Sequence, residues 1–131
     1  MEVVADTNVF LAVALGEPER AWLIDATEAT DLVAPTLLPY EIGNALSALV
    51  RRNALNARQA LATWRLAGAV AVELVEIDVL AAVELAAQFN IYAYDAYFLQ
   101  CALTRRCPLL TLDQAMTRIA EQLRIEIVRP S

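Results

Sequence analysis

VVADTNVF, residues 3–10, decides how the chain is read. An apolar run rises from the N-terminus, meets Asp6, and turns apolar again at once. Asp6 followed by Thr7 and Asn8 has the chemistry of a helix N-cap, where a side-chain oxygen accepts free first-turn amide hydrogens. That is enough to explain a lone Asp. A charged carboxylate closing a buried strand takes on a second meaning only if other acids arrive at the same place.

Working outward, EVVA (2–5) reads as a short buried strand and Thr7–Leu15 as a helix stopped by Gly16. Pro18 opens a second helix over 18–29, in the first turn where its missing N–H costs little. DLVAP (31–35) is a strand. Residues 36–52 carry helical spacing, with Leu38, Ile42, Ala45, Leu46 and Leu49 on one face. Asn53 ends that helix, and 56–67 makes another up to Gly68. VELVEI (72–77) reads as a strand, and Asp78 as the N-cap of a helix over 78–89. Residues 94–106 form a further helix, PLLTLD (108–113) a strand ending in Asp, 114–123 a helix, and IEIV (125–128) a closing strand. Short apolar strands alternating with helices predict a parallel sheet with helices on both faces. With 131 residues and no linker or low-complexity tract, one domain over 1–131 is expected.

Composition excludes whole classes of chemistry. The chain has no histidine, which removes Ser-His-Asp and Cys-His catalysis and histidine metal ligands. All ten basic residues are Arg, so a Schiff-base or P-loop lysine is absent too. Cys101 and Cys107 form no CxxC pair and read as small buried or half-buried thiols. A formal charge of −6 argues against broad electrostatic binding of nucleic acid, but not against local phosphate binding through metal ions or an Arg cluster. No apolar stretch reaches a spanning length before an acid interrupts it, so no membrane association is expected. The N-terminus lacks a basic region ahead of its apolar run, which leaves the cytoplasm as the expected compartment.

What remains is carboxylates. In parallel α/β folds ligands bind at the carboxyl ends of the strands, and Asp6 and Asp113 both sit there. Asp95 lies in the first turn of its helix, with Leu99 and Ala102 on its own face. Glu41 flanks the apolar stripe of the 36–52 helix, far from Arg51 and Arg52. The bland readings are two caps, one acid favoured by the helix dipole, and one acid reaching solvent. Four carboxylates without a basic partner near in sequence point instead to a hard divalent cation, Mg²⁺ or Mn²⁺, which takes oxygen ligands and needs no histidine. Such an ion activates water and holds a phosphodiester.

The ordered set ADTNVFL, YEIGNAL, YDAYFLQCAL and LLTLD resembles the PIN domain, and the whole chain resembles the VapC-type toxins of bacterial toxin–antitoxin pairs. The resemblance implies a three-layer α/β/α sandwich around a central parallel sheet. It implies an Mg²⁺- or Mn²⁺-dependent endoribonuclease acting on structured RNA such as tRNA or rRNA, a homodimer, and a cognate antitoxin as protein partner. It carries the family's acids onto Asp6, Glu41, Asp95 and Asp113, and sets Thr7, Asn8 and Thr111 beside them as supporting groups. Arg105 and Arg106, near the last strand, either touch phosphate or sit solvated. An Ala- and Leu-rich surface also suggests partner contacts, with the helices at 18–29 and 36–52 as the expected dimer interface. A phosphoaspartyl enzyme is set aside for want of a lysine and of an acid at Asn8. The alternative is a catalytically silent PIN-like module that binds RNA or protein.

Overall fold

The computed structural model describes residues 1–130. Four strands form one parallel sheet: β1 (Glu2–Ala5), β2 (Asp31–Pro35), β3 (Glu73–Val75) and β4 (Leu109–Leu110), in the order β3-β2-β1-β4. Among the described residues seven helices flank it: α1 (Thr7–Leu15), α2 (Arg20–Thr27), α3 (Leu38–Arg51), α4 (Ala57–Gly68), α5 (Val79–Phe89), α6 (Ala93–Arg105) and α7 (Gln114–Gln122). Helix α6 lies against β1 and β2 and carries α5 and α7, whereas α1 to α4 pack on one another. The result is the expected α/β/α sandwich. Val3, Val4, Val33, Leu109 and Leu110 are sealed within it, as strands covered on both faces must be.

The strand order positions the site. From β1 the chain steps to β2 and then β3, and from β3 it crosses back to place β4 on the far side of β1. The direction of winding therefore reverses between β1 and β4, and a crevice opens beyond the carboxyl ends of strands at such a reversal. Val4 pairs with Leu109 and Ala5 with Leu110, so Asp6 and Thr111 leave the sheet side by side.

Most elements form where the sequence places them, and the ends explain why. Asp6, Asn56 and Asp78 cap their helices, Asn56 through a reciprocal capping box with Gln59. Gly16 ends α1 at φ 70°, a conformation glycine adopts without strain. Three expectations shift. Helix α2 begins at Arg20 rather than Pro18, because Pro18 and Glu19 form a turn closed by the Arg20 N–H donating to the Glu17 carbonyl. Strand β3, expected over 72–77, is three residues long at the sheet edge, and its Leu74 is exposed. IEIV makes one parallel bridge, Ile127 to Leu109, and not a strand, because the two-residue β4 gives it no length to follow.

Candidate active site

Asp6 follows β1 directly and caps α1: its Oδ1 accepts the Val9 N–H at 3.2 Å. Its Oδ2 accepts the Thr111 hydroxyl. Thr111 in turn accepts the Asp113 N–H at 3.0 Å. Asp113 caps α7, its Oδ1 accepting the amides of Ala115 and Met116 at 2.8 and 3.2 Å. One buried hydroxyl thus ties together the two strand-end acids of neighbouring strands.

The other two acids arrive on helices. Glu41 lies in the first turn of α3, half-buried, its Oε1 accepting the Thr7 hydroxyl at 2.8 Å. Asp95 lies in the first turn of α6, on the side that continues into buried Leu99 and Ala102; among the described residues no hydrogen bond holds its carboxylate. All four acids line one cavity of about 390 Å³, together with Thr7 and Asn8. Asn8 is exposed and meets Asp6 through its backbone amide.

The electrostatics reflect this crowding. Asp6, only 4% exposed, has its carboxyl pushed up to about 6 by burial. The hydrogen bonds from Thr111, Val9 and Asn8 oppose that rise, and the charge of Asp113 adds to it. Glu41 is raised by burial and by Asp95, against the Thr7 hydrogen bond. Asp95 is raised by burial and by Asp113. No arginine lines the cavity. Arg105 lies at the opposite end of the sheet, where its guanidinium bridges Glu2 at the start of β1 and Glu73 at the start of β3. It is therefore neither a phosphate contact at the acids nor a loose surface cation.

The donor chemistry fits a hard divalent cation: carboxylate oxygens only, mutually repelling, with no basic residue to neutralise them. The four stand around the cavity as separate groups; among the described residues no three acids close into a ready-made ligand cluster. The four acids, Thr7 and Asn8 line this cavity, and Thr111 is buried behind it, bonded to Asp6. Sequence reasoning missed Tyr40, Asn44 and Tyr94, which also line it. A signal was present: an aromatic directly precedes an acid in both PYEIGN and AYDAYF.

A PIN-domain family model matches residues 3–122. Among solved structures, PAE2754 from Pyrobaculum aerophilum is similar at 21% identity and TM-score 0.72, over 98% of this chain and 91% of that one. VapBC2 from Rickettsia felis, bound to a DNA fragment from their promoter, is similar at 13% identity and TM-score 0.70, over 97% of each chain. These two likenesses speak for the fold. No curated protein matches the chain.

Proposed function

The chain belongs to the PIN-domain family, and from that premise we propose that it is a divalent-metal-dependent endoribonuclease, the toxin of a toxin–antitoxin pair, cutting structured RNA such as tRNA or rRNA. The observation that carries the reading is the cavity itself: four acids, two of them closing neighbouring strands, and no basic residue among them. Asp6, Asp95 and Asp113 would hold Mg²⁺ or Mn²⁺, with Glu41 completing the site directly or through water. A cation held by these residues would lower the pKa of a bound water, so that hydroxide could attack, and would offset charge on the phosphodiester.

The chain's own groups do the positioning. Thr111 and the Val9 amide fix the rotamer of Asp6, Thr7 fixes Glu41, and the first-turn amides of α7 hold one oxygen of Asp113. That leaves Oδ2 of Asp113, Oε2 of Glu41 and both oxygens of Asp95 without a hydrogen bond from the described residues. Outer groups that orient metal-binding carboxylates in this way typically matter 10–100-fold, roughly, for affinity or activity.

The likeness to VapBC2, itself bound to promoter DNA, supports the toxin–antitoxin setting and a cognate antitoxin as partner. A cytoplasmic location belongs to the same reading; no helix among the described residues is long and apolar enough to cross a membrane. So does a homodimer, although α3 spends its apolar face on the core through Leu38, Ile42 and Leu46. The exposed apolar side chains include Ile24 on α2, Leu61, Trp64 and Leu66 on α4, and Val79, Leu80 and Val83 on α5, so α4 and α5 offer more apolar surface for an interface than α2 or α3. The test is cleavage of total RNA with and without Mn²⁺, by wild type and Asp95→Asn. Metal-dependent cleavage by wild type and none by Asp95→Asn is expected. Cleavage that survives both chelation and the substitution refutes the proposal.

A further inference from the structure

Tyr40 and Tyr94 stand at the acid cavity with 80% and 61% of their surface exposed. Exposed aromatics scattered singly are ordinary. These two are not scattered: each immediately precedes one of the helix-borne acids, Glu41 on α3 and Asp95 on α6, and both line the same cavity. The Tyr94 ring is braced edge-on against Tyr97, with centroids 6.4 Å apart and planes at 78°. Such T-shaped contact favours one orientation of the ring, and Tyr94 stays largely exposed in it.

Proteins usually hold nucleic acid by phosphate contacts from Lys and Arg. The means for that are missing at this cavity. The chain has no lysine, no arginine lines the cavity, and Arg105 is engaged by Glu2 and Glu73 at the other end of the sheet. A net charge of −6 adds general repulsion. An exposed ring gives affinity that does not depend on phosphate, because every base has a face to stack on it. Asn44, one turn along α3 from Tyr40, and Asn8 at the start of α1 are both exposed at the same cavity, with amides able to pair with base edges.

Resting on the nuclease reading above, we propose that Tyr40 and Tyr94 form a base-stacking clamp that positions unpaired nucleotides across the acids, so that the protein grips RNA by its bases rather than by its phosphates. Stacking requires the ring and not the hydroxyl, which gives the test its controls. Binding is measured in Mg²⁺ to a short oligoadenylate with phosphorothioate linkages that resist cleavage, and to an abasic strand of the same length and linkage. Tyr40→Ala and Tyr94→Ala should each weaken binding to oligoadenylate by roughly 5- to 100-fold, the range that one stacked base contributes. Tyr40→Phe and Tyr94→Phe should bind as wild type does, and the abasic strand should bind weakly and equally to all five proteins. The clamp is overturned if the Ala variants bind oligoadenylate as wild type does, if the Phe variants fall as far as the Ala variants, or if wild type binds the abasic strand equally well. Cleavage of total RNA in Mn²⁺ by the same preparations separates the two claims. Unchanged binding by the Ala variants beside loss of cleavage in Asp6→Asn sinks the clamp and leaves the nuclease. Ring-dependent binding by a wild type that never cuts supports the clamp and sinks the nuclease.

Discussion

Replacing Asp6 with Asn removes a buried charge while keeping size and most of the hydrogen bonding. The Asp6 carboxyl lies at about 6 in the fold against an ordinary 3.8, a gap of roughly two units at about 1.36 kcal/mol each. Holding the charge in the folded state at neutral pH therefore costs about 3 kcal/mol. Asn can accept the Val9 amide through its carbonyl, but its NH₂ cannot accept the Thr111 hydroxyl, a loss of about 1 kcal/mol. The net expectation is a gain of about 2 kcal/mol at pH 7.5, roughly 5–10 °C in melting temperature for a domain of this size. Because the folded pKa is raised, the native state binds more protons than the unfolded chain between roughly pH 4 and 6. Wild-type stability from this group accordingly falls as pH rises through that window and is level above it. Below it the carboxyl is neutral in both states, and the advantage of Asn disappears. Thermal melts of metal-free wild type and Asp6→Asn at pH 4 and 7.5, with cleavage measured on the same samples, check the reasoning. The variant should melt higher only at pH 7.5 and should cut nothing. An Asp6→Asn protein that melts lower than wild type at pH 7.5, or whose difference ignores pH, refutes the electrostatic account; full cleavage refutes the proposed role of Asp6.

Two further outcomes follow from the same geometry. Millimolar Mn²⁺ should raise the melting temperature of wild type, by the equivalent of about 2.7 kcal/mol at a hundredfold excess over Kd, and should raise that of Asp95→Asn much less; an unmoved wild-type melt contradicts the proposed metal site. Arg105→Met should lower the melting temperature slightly at low salt and not at high salt, because the bridge to Glu2 and Glu73 is partly exposed. Arg105 holds the Glu2 carboxyl below its ordinary 4.5, so this contribution is present above that pH and is lost as pH falls through the lowered value; a deficit that persists in acid would assign the arginine a packing role instead.

The centre of the fold was legible in the sequence and its margins were not. β1, α1 and the turn between them carry agreeing signals: an apolar run, a cap residue, an apolar helix face and a glycine at φ 70°. The margins lack that agreement. Leu74 sits in an alternating segment but on an edge strand, where burial depends on what covers the outer face. IEIV has strand composition, but its partner β4 stops after two residues. Within the site, residue types at strand ends and on an apolar helix side identified the acids. The bonds that hold them were not visible, since Thr7 meets Glu41 across 34 positions and Thr111 meets Asp6 across 105. Arg105 was misplaced for the same reason: its partners lie at positions 2 and 73.

The cap and site readings of the strand-end acids, set against each other in the sequence, turn out to be compatible. Asp6 and Asp113 each spend Oδ1 on the amides of the helix that follows. Glu41 and Asp95 lie in the first turns of α3 and α6. The cavity therefore gathers the N-termini of four helices, α1, α3, α6 and α7, and every acid stands at one of them. A helix N-terminus carries a partial positive charge that favours a nearby carboxylate by about 0.3–1 kcal/mol. This is what the fold offers in place of arginine, and capping locks the rotamers of Asp6 and Asp113 at the same time. It is not enough for Asp6, where about 3 kcal/mol of ionisation cost remains after its hydrogen bonds have acted. On the proposal made here, that residue of unneutralised charge is what a divalent cation would relieve. The same surplus explains why removing one carboxylate should stabilise the metal-free protein while it abolishes the site.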